Sequence, residues 1–277
     1  MQKKSLRIAL IQSDRQRSHL GKNLSQTLEI LEKLDAVDLV CLPEVWLGVV
    51  MYTKKEMAFL LKDLASLAKD KRFTLLTGGL LEKRDGKIFD VCHIIDKDRG
   101  VIGEQKKLFP SGAVGERKFM DAGSALTVFP CAGVMCGVLI CVDMMYPELV
   151  RALALSGAEV VFNPANIPDE RTRLWHGLIR TRASENTIFI AYVNNTHTRY
   201  FDGRPVMGES LVASPSGDVV IEAGKEGMTL YKSLDLSLVA QQRKRWPYLQ
   251  DMFALSERPA FLFSVHVIGA QADTNGL

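Results

Sequence analysis

Three residues far apart in this sequence carry complementary chemistry, and each stands where a strand would end. Cys141 closes the apolar run Val134-Met-Cys-Gly-Val-Leu-Ile-Cys141 and opens Val142-Asp143-Met-Met-Tyr-Pro147-Glu148. A strand-like segment thus carries a thiol into a tight turn ahead of a helix. The strand fixes the sulfur, while unpaired N–H groups and the positive dipole end of a following helix favour a thiolate and a developing oxyanion. Alone, such a cysteine is more often inert core filling. Its company changes the reading. Glu44 follows Pro43 at the end of Val37-Asp-Leu-Val-Cys-Leu42, and proline cannot extend a central ladder, so a carboxylate is delivered beside apolar Val45, Trp46 and Leu47. That is the type of group that general-base chemistry near neutral pH uses. Lys107 lies in Gly103-Glu-Gln-Lys-Lys-Leu-Phe-Pro110, and an ammonium drawn inward there needs a negative partner and can hold an oxyanion. Adjacent Lys106 points to the opposite face of the same strand. Nucleophile, base and oxyanion cation together describe acyl transfer through a thioester.

The elements that must position these groups follow from periodicity. Leu20, Leu24, Leu28, Leu31 and Leu34 recur at helical spacing before the strand that ends at Glu44, and a second helical face runs from Glu56 to Lys69 ahead of Phe73 to Thr77. Ile88 to Ile95 and Val101 to Leu108, joined by Asp98-Arg-Gly100, suit a hairpin. After Cys141 the pattern predicts a helix over 147–156, with Pro147 in its first turn and Gly157 past its end. A strand over 159–162, a helix over 172–185 and a strand over 187–193 follow, then a β-rich stretch with turns at Pro215-Ser-Gly217 and Ala223-Gly224. Such alternation predicts helix, sheet, sheet, helix layers or a doubly wound sheet. Either would set strand-end residues on one rim. No linker, repeat or low-complexity segment divides the chain, so one domain is expected over 1–268, with a polar tail over 269–277.

A chain of 277 residues that is 47% hydrophobic can bury a full core. Its net charge of +3 is dispersed, which demands neither nucleic acid nor an anionic membrane as partner. The five cysteines have no C-x-x-C spacing, so neither a metal nor a redox pair is indicated, and reduced thiols in a cytoplasmic setting fit best. The first residues read as a strand and not as a signal peptide, and no apolar run is long enough to cross a bilayer. His93, His176 and His197 are possible imidazole partners for a Cys–His hydrolase, but none lies in a motif that recommends it. Gly208-Glu-Ser210 lacks the second glycine of a nucleophile elbow, and no phosphate loop or other cofactor motif occurs. Trp175 reads as packing. Asn166, after Asn163-Pro-Ala, is a candidate pocket residue, and Arg173 a candidate contact for a substrate carboxylate.

These segments carry a resemblance over nearly the whole chain: the sequence is similar to the nitrilase, or carbon–nitrogen hydrolase, superfamily. Leu42-Pro43-Glu44 resembles its glutamate motif and Gly103 to Pro110 its lysine motif, with Lys107 on the catalytic position. Gly137 to Asp143 with Pro147-Glu148, Arg151 and Gly157-Ala158 resembles its cysteine motif. Arg182-Ala-Ser-Glu185-Asn186, Asn194-Asn195, Gly208-Glu-Ser210 and Ser214-Pro-Ser-Gly217 resemble structural landmarks. The resemblance implies an α/β, four-layer α-β-β-α sandwich of two mixed sheets, a cofactor-free amidase-like activity on a small amide, and a homodimer or larger even-numbered assembly. It also implies a second glutamate after the lysine, for which Glu116 is the candidate, with Glu104 as the rival. Met144 and Met145 stand where members acting on N-carbamoyl-D-amino acids carry two arginines, and Asp143 stands where nitrile-cleaving members tend to carry Glu. The first departure argues against that subgroup and the second favours amides over nitriles; a ureido compound remains a candidate substrate, and an N-carbamoyl amino acid or β-ureido acid hydrolase, or a nitrilase, is the alternative within the family. Met145 and the Val142 N–H are then expected beside the substrate. Acyl transfer to an amine, and a silent scaffold that binds without turnover, are the competing readings.

Overall fold

The computed structural model describes residues 5–16 and 19–256. In chain order, β1 (Ser5–Gln12), α1 (Leu20–Glu32), β2 (Leu39–Cys41), β3 (Met51–Thr53), α2 (Lys54–Lys71), β4 (Thr74–Leu76), β5 (Leu80–Arg84), β6 (Lys87–Asp96) and β7 (Gly100–Lys106) make the first half. The second half comprises β8 (Val128–Cys131), β9 (Val134–Val138), α3 (Pro147–Leu155), β10 (Val160–Pro164), α4 (Thr172–Asn186) and β11 (Phe189–Val193). There follow β12 (Thr198–Arg199), β13 (Pro205–Val206), β14 (Leu211–Ala213), β15 (Val219–Glu222), β16 (Met228–Asp235), α5 (Ser237–Arg245) and α6 (Tyr248–Ser256).

Two mixed sheets result, and the doubly wound alternative is set aside. One has the order β16-β1-β2-β4-β6-β5-β3 with β7 also paired to β6, and the other β15-β14-β11-β10-β9-β8. The central strands β1, β2 and β4 are parallel neighbours, as are β9, β10 and β11. Their near-continuous apolar sequences reflect burial on both faces. Within β1 the two-residue period splits the side chains: Leu6, Ile8 and Leu10 enter the core between the sheets with Leu39, Val138 and Phe162. Ala9 and Ile11 turn the other way, onto Leu31 of α1 and Met57 and Leu64 of α2. Val150 and Leu153 of α3 and Ile179 and Ala183 of α4 cover the second sheet. The layers are therefore α-β-β-α. Among the described residues no helix is long and apolar enough to cross a membrane. The expected tail over 269–277 lies outside the described residues.

Most expected elements occur within a few residues of their anticipated bounds, with three informative differences. The helix expected from Glu56 begins at Lys54, because Thr53 and Glu56 form a reciprocal capping box. Strands β3 and β5 were not anticipated, being short segments without sustained alternation, yet they pair in parallel at the sheet edge. The tight turn expected after Cys141 takes 3-10 form over Cys141–Met145, so the helix end expected to favour a thiolate, α3 beginning at Pro147 as anticipated, does not adjoin the sulfur.

Two packing features yield measurable consequences. Gly78 has φ +67°, and a Cβ there would meet the Pro43 carbonyl oxygen at 1.9 Å, so Gly78→Ala should lower stability by about 2 kcal/mol or more, read as a lower urea midpoint. Glu82 lies 2.5 Å from Arg84 and 3.3 Å from His93; burial opposes its charge, but His93 and Arg84 bring its carboxyl from 4.5 down to about 2. Because the folded-state value is depressed, this group stabilises the fold above about pH 4.5, and the contribution fades as pH falls towards 2. Glu82→Gln should therefore cost about 1 kcal/mol at neutral pH, with the deficit closing over that acid range in urea titrations.

Candidate active site

The chain beyond β2 is clamped by both sheets. Val45 N–H donates to Gly79 O at 2.7 Å on the first sheet's side, while Glu44 N–H donates to Ala165 O at 3.3 Å and Asn195 Nδ2 to Glu44 O at 2.6 Å from the second. Val45 takes φ +46°, a strained turn that persists because its surroundings fix it. The Glu44 side chain is buried at the end of this clamp. Lys107 leaves β7 one residue past its end, anchored by its N–H to Asp90 O at 2.8 Å. Strand alternation sends Gln105 and Lys107 inward. Lys106 instead lies over the Phe89 ring at 4.4 Å, so geometry decides between the two lysines in favour of 107.

Lys107 Nζ then gathers three carboxyl groups. It stands 2.7 Å from Glu44 Oε1, 2.8 Å from Glu116 Oε2 and 3.6 Å from Asp90 Oδ2. Glu116 comes from a 3-10 turn entered through Gly115 at φ +76°, and it also accepts the Ser111 N–H at 2.6 Å. Its rival Glu104 lies elsewhere, paired with Arg84 at 2.7 Å. Burial works against the Lys107 charge, but Glu44, Cys141, Asp90 and Glu116 together hold its proton affinity well above that of lysine in water. Burial raises the Glu116 carboxyl and Lys107 opposes the rise.

Cys141 is buried with φ +48°. Asn163 Nδ2 braces its turn by donating to Leu139 O at 2.7 Å and Cys141 O at 3.2 Å, and is itself oriented by Trp175 Nε1, which donates to Asn163 Oδ1 at 3.0 Å. Trp175 thus packs, as expected, and also aims an amide. Arg182 donates to the Met144 and Met145 carbonyls at 3.3 and 3.2 Å. Asp143 accepts the Leu108 and Phe109 N–H groups at 2.9 Å each, tying the cysteine turn to the chain just after Lys107. Burial lifts the Asp143 carboxyl to about 7 against those two donors. Burial also pushes the Cys141 thiol well above its usual range; Glu44 and Glu116 add to the rise, while Lys107 and the Asn166 N–H oppose it. The resting group is therefore a thiol. With α3 starting at Pro147, no α-helix dipole sits at the sulfur to make it a thiolate.

A cavity of about 590 Å³ opens onto Glu44, Asp90, Glu116 and Asn166. Asn166 links it to the thiol, since its N–H points at the Cys141 sulfur and its carbonyl accepts the Tyr200 hydroxyl. Val142 follows in the 3-10 turn and is half-buried. Met145 packs against the hydrophobic core and does not border this cavity. Arg173 does not border it either: Trp175, Ile179 and Arg182 occupy the inward face of α4, so residue 173 projects outward beside surface grooves. The three histidines are engaged elsewhere, with Glu82 for His93, Glu209 O for His176, and Asp14 and Glu226 for His197. Sequence reasoning missed Asp90, Tyr200 and Arg15, which all border the cavity. No motif around them signalled a site, and only pairing of β6 with β7 brings Asp90 beside Lys107. Among the described residues no group of three or more His, Cys, Asp or Glu side chains could hold a metal ion.

Comparison with known proteins shows the family and the fold. Residues 7–244 match the model of the family described as carbon-nitrogen hydrolase. The chain is 32% identical over 243 residues to a "Hydrolase in agr operon" of Staphylococcus aureus, covering 84% of this chain and 92% of that protein. It is 28% identical over 254 residues to a 2-oxoglutaramate amidase of Bacillus subtilis, covering 88% and 96%. Its fold superposes with TM-score 0.81 on a superfamily protein of Xanthomonas campestris at 20% identity, covering 94% of this chain and 100% of that one. The chain belongs to the carbon-nitrogen hydrolase family.

Proposed function

We propose that this protein hydrolyses the C–N bond of a small carboxamide through a thioester on Cys141, releasing ammonia and a carboxylic acid. The observation that carries the reading is the buried Lys107 ammonium bonded to Glu44 and Glu116, which both border the cavity, with the neutral Cys141 thiol in the same field. Glu44 accepts the thiol proton as the sulfur attacks the carbonyl carbon. Negative charge moves to the carbonyl oxygen, where Lys107 and the Val142 N–H stabilise it. Glu44 next passes the proton to the departing nitrogen, ammonia leaves, and the thioester forms. Water then attacks, giving its proton to Glu44, and the acid and the thiol are restored. Glu116, within reach of the same ammonium, orients the substrate nitrogen or that water. A thiol at rest suits this scheme, since it needs a base within the site.

The cavity walls supply the specificity. Leu47, Val49, Val114 and Phe119 present apolar surface, whereas Arg15 and Arg199 bring positive charge to its border. An amide whose acyl group carries a distal carboxylate fits both features. The name of the Bacillus subtilis relative supports the same class.

Cys141→Ala should abolish ammonia release while leaving the thermal unfolding midpoint within a few degrees of the parent; turnover retained in that variant would remove the nucleophile from the scheme. Ammonia release measured across ω-amides of dicarboxylic acids, ureido acids, simple aliphatic amides and nitriles should rank ω-amides highest by kcat/KM. Ureido acids or nitriles at the head of that ranking would overturn the substrate class.

A further inference from the structure

Asp90 is a buried carboxyl group with no part in the scheme above, yet it stands inside the charge cluster. It is 1% exposed, borders the cavity, and carries Oδ2 at 3.6 Å from Lys107 Nζ. That distance exceeds a hydrogen bond, and the ammonium already serves Glu44 and Glu116 at 2.7 and 2.8 Å. The other oxygen, Oδ1, has no hydrogen-bond partner. It is wedged against Gly79, where a Cβ would meet Asp90 Oδ1 at 2.4 Å and Glu44 Cγ at 2.9 Å. Gly79 thus leaves just enough room for two carboxyl side chains to stand together.

Charge counting decides what those two can be. One ammonium faces Glu44, Glu116 and Asp90, with the Cys141 thiol close by and the Cys92 thiol on the same strand as Asp90. Three buried carboxylates on one cation would leave two uncompensated negative charges, which costs several kcal/mol. An ionised Asp90 would fare worst, having one oxygen without a donor and the other outside bonding range. A neutral acid removes the problem, because its O–H can be given to the Glu44 carboxylate that stands beside it at Gly79. Two carboxyl groups sharing one proton is the usual outcome of such proximity.

We propose that Asp90 is a positioning residue: a neutral carboxylic acid that donates its O–H to Glu44 and so holds that carboxylate in line between Lys107 and the cysteine. Burial raises the Asp90 carboxyl well above the usual range, the Glu44 and Glu116 charges raise it further, and Lys107 opposes them. The inference rests on the reading of Glu44 as the general base. Its first test does not.

Infrared difference spectra of the full-length parent minus Asp90→Asn, taken at neutral pH, should contain the C=O stretch of a protonated carboxyl. A difference with carboxylate bands alone overturns the proposal, whatever the enzyme turns over. Kinetics with the best amide of the screen supply the second test. Asp90→Ala should lower kcat about 10²-fold with KM changed by less than about threefold, the size expected when a base is misaligned rather than removed. Asp90→Asn keeps a neutral donor and should recover about tenfold of that loss, with the acid limb of kcat/KM at the parent's pH. A limb displaced by about one pH unit or more in Asp90→Asn would mean that a negative charge had been deleted, and would overturn the proposal. So would an Asp90→Ala variant as active as the parent. If Asp90→Ala does not fold, Asp90→Asn and the infrared difference decide. Absence of turnover with every amide would refute the amidase reading and leave the infrared result standing on its own.

Discussion

A single buried cation organises this molecule's interior. Lys107 is 1% exposed, and an ammonium so placed is tolerable only if opposite charge arrives with good geometry. Glu44 and Glu116 supply that charge from two different loops, and Asp90 completes the ring from β6. Removing the ammonium would leave like charges packed against one another, while removing a carboxylate would leave the cation short of a partner. The site is therefore self-consistent only when all its contributing segments are folded together. Stability and the proposed chemistry draw on the same ion cluster, whose members are anchored by backbone bonds as well as by side chains.

The two-sheet architecture makes that convergence possible. Strands β2, β7 and β9 belong to different sheets or different edges, yet each ends near the same rim, and the segments just past their ends carry Glu44, Lys107 and Cys141. Cross-links between the sheets then fix the rim. Asn195 of the second sheet's margin holds the Glu44 carbonyl at 2.6 Å, and Asp143 of the cysteine turn holds Leu108 and Phe109 at 2.9 Å. Asn163, oriented by Trp175, sets the turn at Cys141. Asp143, Asn163 and Trp175 are buried polar groups with partners, and such networks rigidify a site, whereas Asn195 uses its Nδ2 and leaves Oδ1 without a partner. Positive φ at both Val45 and Cys141 shows the backbone turning sharply just after Glu44 and at the cysteine itself.

Much of this was legible in the linear chain because strand ends and helix faces follow from local periodicity. The apolar run to Cys141, the proline before Glu44 and the paired lysines before Pro110 are all local patterns. Glu116 needed the family resemblance, since a loop glutamate beside Arg117 and Lys118 has no local mark of burial. Asp90 could not be found at all: in Ile88-Phe-Asp90-Val it looks like an ordinary outward residue of an alternating strand, and only its pairing partner β7 turns it towards the ammonium. Arg173 and Met145 do not border the cavity, for a related reason. Proximity to Asn166 and Cys141 along the chain did not survive the rotation of α4 and of the 3-10 turn.

Sequence alone determined the groups proposed to react, the strands that deliver them and the family to which the chain belongs, since these depend on residue type and short-range spacing. Tertiary structure decided which lysine turns inward, that the cysteine rests as a thiol without a helix dipole beside it, and that a third carboxyl joins the cluster. The physical reason is the same in each case. Burial and electrostatic coupling are set by neighbours that come from elsewhere in the chain, and no local pattern encodes who those neighbours are.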